Sequence, residues 1–160
     1  MLSEYNFIID DILDNKSFRE LENMRHHGTT RMIHSKRVSY FSYKVCKFLN
    51  LDYISAARAG LLHDFFITDV NQTKVQRFIS IFTHSKKALN NSMSSFDINK
   101  KEQNIIVSHM FPFCIYVPLY LESWIVDIVD DVVAIYEVIE KISVSMYYKK
   151  LYICSKLKKA

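Results

Sequence analysis

Glycine and proline are scarce, with two of each in 160 residues. Folds built on many tight turns lean on those residues, so an all-β sandwich or barrel is excluded. The Gly-rich loops that cradle phosphates are missing as well, since neither GxGxxG nor GxxxxGK[ST] occurs. Cysteine is equally sparse. Cys46, Cys114 and Cys154 are odd in number, far apart and without CxxC spacing. That argues against a disulfide framework or a zinc finger and fits a reducing compartment. No run reaches 18 uncharged apolar residues. The best candidate, 110–121, has 12 residues and contains both prolines, too few to span a bilayer. Glu4, Asp10 and Asp11 interrupt any apolar signal core near the start. The expectation is a cytoplasmic protein with no membrane partner.

What the chain does have is apolar and aromatic content. Hydrophobic residues make up 49% and aromatics 14%, which excludes intrinsic disorder. The length suits a single domain over 1–160. The net charge of +4 is concentrated at Lys149, Lys150, Lys156, Lys158 and Lys159. A run of this kind reads as a solvated helix end rather than a nucleic-acid or membrane contact.

Hydrophobic spacing predicts an all-α bundle of six to eight helices. Residues 4–14 place Tyr5, Ile8, Ile9, Ile12 and Leu13 on one face. Around Gly28 the periodicity breaks. Glycine there can adopt positive φ, and Thr29 or Thr30 can cap a helix over 31–49 whose apolar stripe is Val38, Phe41, Val45 and Phe48 or Leu49. Residues 51–64 are apolar throughout and predict a central buried helix. Over 72–81 helix and loop both remain open. Helices are expected at 84–94 and, capped by Asp97, up to about residue 110, before Pro112 and Pro118 impose an irregular connection. Residues 122–136 are rich in β-branched side chains, yet Ile125, Ile128, Val129, Val132, Val133 and Tyr136 recur at helical spacing. The tail over 141–158 also reads as helix.

Six histidines are present: His26, His27, His34, His63, His84 and His109. Three of them, His63, His84 and His109, fall at expected helix ends, and His34 lies in a first turn. Such positions let side chains of different helices meet at one end of a bundle, where metal sites are often built. The pair His63-Asp64 offers an imidazole and a carboxylate within one turn, and a carboxylate can bridge two ions with its two oxygens. His26 and His27 sit in an expected loop and are not taken as ligands.

The segments around these residues are similar to those of the HD-domain metal-dependent phosphohydrolases, small single-domain bacterial type, named for the pattern H…HD…D. The residues that carry the resemblance are His34, His63-Asp64 and Asp130. They stand in the segments HGTTRMIHSKRV (27–38), GLLHDFF (60–66), THSK (83–86), SHMFP (108–112) and ESWIV (122–126). The similarity spans about residues 24–136, most of the chain. It implies an all-α fold with His34, His63, Asp64 and Asp130 ligating one ion. His84 and His109 match two extra histidines that hold a second ion in some members, with Asp64 as the bridge. Asp127 and Asp131 compete for the last position, and the lead Ser123-Trp124-Ile125-Val126 favours Asp130.

Such a set suits one or two ions of Fe, Mn, Ni, Co or Zn better than Ca or Mg. Metal lowers the pKa of bound water to about 7, which supplies hydroxide at neutral pH. The expected reaction is hydrolysis of a small phosphomonoester or phosphodiester, a nucleotide among the candidates. Asp64 and Lys86 are the catalytic candidates, and Arg31 and Lys86 the phosphate contacts. The chain departs from the family in three places. Residues 65–82 match nothing assignable to a substrate, Ser85 stands where relatives often carry Pro, and Asp131 stands where many carry Lys. The alternative is a non-catalytic metal or nucleotide sensor on the same fold. A nucleic-acid-binding module using the lysine tail is the least favoured reading.

Overall fold

The computed structural model of the chain describes residues 2–26, 29–67 and 73–157. The all-α expectation holds, with seven α-helices among the described residues. They are α1 (Leu2–Asp14), α2 (Lys16–Arg19), α3 (Arg31–Phe48), α4 (Tyr53–Leu62), α5 (Lys74–Ser95), α6 (Lys100–Ser108) and α7 (Leu121–Leu157). A 3-10 turn (Glu20–Asn23) follows α2. A short ribbon of β1 (Arg25–His26) and β2 (Thr29–Thr30), paired antiparallel, leads into α3. His27 and Gly28 lie outside the described residues, so the positive φ expected at Gly28 falls there too.

Four of the helices, α2, α3, α4 and α6, start where a side chain satisfies the first amides. Thr30 accepts from Ile33 N at 3.3 Å and opens α3. Asp52 accepts from Ser55 N at 3.0 Å and opens α4, after the chain reverses through Asn50 at φ 54°. Asp97 does not cap α6. Asn99 does, in a capping box with Glu102, because only a residue three positions before an acidic side chain can exchange both hydrogen bonds.

The core runs through Tyr5, Ile9 and Ile12 of α1, Phe18 of α2, Leu61 and Leu62 of α4, Ile105 and Ile106 of α6, and Val126 and Val133 of α7. Its tightest contact is α3 on α4. A Cβ at Gly60 would stand 3.1 Å from Ser39 Cα. Helices this close admit only small side chains, so α3 turns Ser35, Ser39 and Ser42 inward against Ala56, Ala57 and Gly60. Tyr5 Oη donates to Ser39 Oγ at 2.9 Å, and Ser39 Oγ donates to the Ala57 carbonyl at 2.7 Å.

This packing overturns the apolar stripe read for α3. Val38 is buried, but Phe41, Val45, Phe48 and Leu49 are exposed. Two further boundaries differ from expectation. The open stretch at 72–81 and the helix at 84–94 are one helix, α5, so His84 sits mid-helix rather than at a start. The helix over 122–136 and the tail likewise form one helix, α7, of 37 residues. Among the described residues, no helix is long and apolar enough to cross a membrane.

Candidate metal centre

Five elements converge on one buried cluster. His34 comes from the first turn of α3. His63 and Asp64 are the first two residues beyond α4, and His109 is the first beyond α6. His84 comes from the middle of α5, and Asp130 from α7. His34, His63, Asp64 and His109 are buried, while His84 and Asp130 are partly so. Three sets of ligand atoms lie within 4.8 Å of one another: His34, His63 and Asp64; His63, His109 and Asp130; and Asp64, His84 and His109. The structure therefore brings together all six residues singled out as ligands, and Asp64 takes part in two of the three sets.

Hydrogen bonding at the outer face of each ring fixes which nitrogen turns inward. His63 Nδ1 lies 2.7 Å from the Gly60 carbonyl, His84 Nδ1 3.1 Å from the Ser80 carbonyl, and His109 Nδ1 2.7 Å from the Ile106 carbonyl. A carbonyl only accepts, so each Nδ1 carries the hydrogen and each Nε2 presents its lone pair to the interior. His34 follows the same rule through a carboxylate, with its Nδ1 3.0 Å from Glu137 Oε2.

The inward atoms are thus acceptors facing acceptors. His84 Nε2 and His109 Nε2 stand 3.1 Å apart. His34 Nε2 is 2.8 Å from Asp130 Oδ1, and His63 Nε2 is 3.6 Å from the same oxygen. His84 Nε2 and His109 Nε2 are 3.6 and 3.9 Å from Asp64 Oδ1. Among the described residues, the buried His63 Nε2 has no hydrogen-bond partner. A buried polar atom left so costs about 1–3 kcal/mol, and a metal cation at the centre would satisfy several of these nitrogens together.

The histidines differ in how readily they take a proton. Burial lowers the basicity of His63, but the charge and close polar contact of Asp130, the charge of Asp64 and the Gly60 carbonyl together outweigh it and hold the imidazole at about 9. Burial works upward on Asp130, yet His63 and the hydrogen bond from His34 keep it well below the usual carboxylate range. His109 is pushed down to about 4 by burial and by the charge on His63. Its Nε2 is therefore a bare lone pair at neutral pH. Four imidazoles and two carboxylates form a donor set for first-row transition metals, and the residues fit one or two such ions.

Neighbouring groups orient the ligands. Arg31 is buried, with Nε 3.6 Å from Asp64 Oδ2 and its guanidinium carbon 3.9 Å above the Phe66 ring. It also donates through Nη1 to the Phe66 carbonyl. This leaves Asp64 Oδ1 to face the histidines. Holding a carboxylate in place differs from the phosphate contact expected for Arg31. Phe66 stacks in turn on His84, ring centroids 5.2 Å apart, and forms an apolar wall. Lys86 is exposed. Two residues beyond His84 on the same helix, it is turned about 200° from it, so the cluster does not draw it in.

Glu137 escaped the sequence reading. It is buried, receives His34 Nδ1–H and accepts from Arg37 Nη1 at 3.0 Å, while Arg37 also reaches Glu140 at 3.3 Å. Its signal was spacing. Val126, Asp130, Val133 and Glu137 recur at four, three and four residues, which is one face of α7. Asp127 is buried away from the ligand set, where its carboxylate accepts from the Phe111 amide, and Asp131 is exposed.

No protein-family model, no curated protein and no solved structure matches this chain. The likeness to the HD-domain phosphohydrolases therefore rests on the residues of the cluster and the segments that carry them.

Proposed function

We propose that the chain is a metal-dependent phosphohydrolase of the HD-domain type, acting on a small phosphomonoester or phosphodiester, a nucleotide among the candidates. The observation that carries this reading is the set of four inward Nε2 atoms around two carboxylates, with Asp64 common to two sets of ligand atoms. In this reading His34, His63, Asp64 and Asp130 hold one ion, and Asp64, His84 and His109 hold the second. When bound, the ions supply Lewis-acid charge for the phosphoryl oxygens and bring the pKa of coordinated water to about 7.

The chain's own residues do the rest. Glu137 fixes the tautomer and orientation of His34. Arg31 takes one oxygen of Asp64 and turns the other to the histidines. Phe66 keeps bulk water off His84, which strengthens every charge interaction inside. Asp64, common to two sets of ligand atoms, would serve as the shared ligand if two ions are bound.

A second reading is favoured by one observation. Neither cation expected to meet a phosphate is placed to do so, because Arg31 is committed to Asp64 and Lys86 faces outward. That favours a non-catalytic metal or nucleotide sensor with the same centre. Elemental analysis of tag-free protein together with turnover on a panel of phosphate esters separates the two. Two transition-metal ions per chain with hydrolysis, both lost in His63→Ala and Asp64→Ala while helicity is kept, is the expected result. Bound metal without turnover selects the sensor. Full activity in both variants overturns the site.

A further inference from the structure

The helix that carries Asp130 and Glu137 on its inner face has a second stripe on its outer face. Ile128, Val132, Ile135, Ile139, Ile142 and Met146 recur at four, three, four, three and four residues, and each is more than half exposed. This is a heptad seam sustained over 18 residues, about 27 Å of helix. An apolar stripe of that period matches another helix with the same repeat, and exposed patches of such extent mark interaction sites. All described side chains of residues 138–149 are exposed, so this part of α7 projects beyond the bundle.

Charge identifies the partner. Of the acidic residues of α7, Glu122, Asp127, Asp130 and Glu137 turn into the bundle, which leaves Asp131 and Glu140 exposed before position 141, whereas Lys141 and Lys149 are the exposed charges described from there on. A helix so divided is complementary to itself only when reversed, because parallel pairing would set acid beside acid and lysine beside lysine. Shape agrees. Beside the inner half of α7 lies an apolar groove of about 880 Å³ between α1, α3 and α7, walled by Phe41, Val45, Val129, Val132 and Tyr136. A two-fold axis midway between positions 135 and 139 pairs Ile128 with Met146 and Val132 with Ile142. That register lays residues 141–149 of a second copy over residues 125–133 of the first, alongside the groove.

We propose that the protein forms a symmetric homodimer in which two α7 helices pair antiparallel along their outer seams, so that each projecting half lies over the other copy's α7 beside its apolar groove. The pairing is independent of the metal chemistry, since its residues lie on the face of α7 opposite Asp130.

Sedimentation equilibrium of the full chain at micromolar concentration tests this, with the expected mass twice the 18.9 kDa of one chain. Ile135→Asp with Ile142→Asp should weaken the dimer by about 100-fold, because each copy would bury unpaired carboxylates. Met146→Asp, beyond the bundle, should weaken it without affecting the fold, checked by circular dichroism. Added salt should weaken an antiparallel dimer and would strengthen a parallel one. A monomeric wild type, a dimer that survives all three substitutions, or a dimer strengthened by salt overturns the proposal. A monomer that cosediments with phosphatidylserine vesicles also overturns it, and assigns the seam to lipid.

Discussion

At the scale of single residues, His34 shows how the centre is held from outside. Its Nδ1–H meets Glu137, and that contact decides that Nε2 turns to Asp130. Partners of this kind typically alter metal affinity by about 10–100-fold when removed. Glu137→Ala should therefore lower metal affinity in that range, as read by competition with a chelating dye. Glu137→Gln, which keeps an acceptor for the imidazole, should lower it less. Equal affinities for wild type and Glu137→Ala would reduce Glu137 to an ion-pair partner of Arg37.

Asp127 gives a different test. Burial, with the charges of Asp131 and Asp130 nearby, raises its carboxyl to about 7. An acid raised in the folded state contributes its stability below its unfolded value near 3.9. That contribution is lost as pH rises through about 7. Asp127→Asn keeps an acceptor for the Phe111 amide and removes the ionisation. In chelator-treated protein its advantage over wild type should grow by about 2 kcal/mol between pH 5 and pH 8. Urea unfolding measures it, and a pH-independent difference would show that Asp127 ionises normally.

The six residues of the cluster were legible from short segments, His34, His63, Asp64 and His109 because they stand at helix ends, whereas His84 and Asp130 lie within helices and were found through the segments around them. Glu137 was not. An acidic residue on a long helix reads as solvated until the apolar stripe it belongs to is counted. For Arg31 the sequence leaves two uses open, since a cation beside His34 suits a phosphate as well as it suits Asp64.

At the scale of elements, the approach of α3 to α4 positions the centre, because these two helices deliver His34, His63 and Asp64. Gly60 lies at their closest point and its carbonyl accepts from His63 Nδ1. Gly60→Ala would place a methyl group 3.1 Å from backbone, at Ser39 Cα, with no flexible side chain to yield. Overpacking of this sort costs about 1–3 kcal/mol. The variant should lose that much stability in chemical unfolding and bind metal more weakly, since His63 must shift from His34. Unchanged stability would mean that the helices separate freely. The same contact explains why the α3 stripe was misread. Apolar spacing found Phe41, Val45 and Phe48, but the buried face had to be the one with serines, and hydrophobicity does not record closeness of approach. The α5 boundary failed for a related reason, as 72–81 lacks a clear stripe and gains its helical state by continuity with residues 84–94.

At the scale of the whole molecule, the helical class was legible because few glycines and prolines leave little but helix, while the periodicity split α5 and α7 and did not show α2. The outer seam of α7 was hidden in the same string of β-branched residues that supplied the inner face. A sequence shows both stripes, and only packing shows which one the chain itself covers. The cluster joins α3, the ends of α4 and α6, α5 and α7, so ions held there would tie most of the bundle together. Binding to the folded state alone adds about 2.7 kcal/mol when free metal is 100 times its dissociation constant. Manganese, iron, nickel, cobalt or zinc should therefore raise the melting temperature of chelated protein, with the largest rise marking the preferred ion. The rise should be halved or more in His84→Ala, which keeps the other ligand set, and abolished in Asp64→Ala, which breaks both. If no metal moves the melting temperature, the facing lone pairs must be bridged by protons or water, and the cluster is a polar core rather than a metal centre.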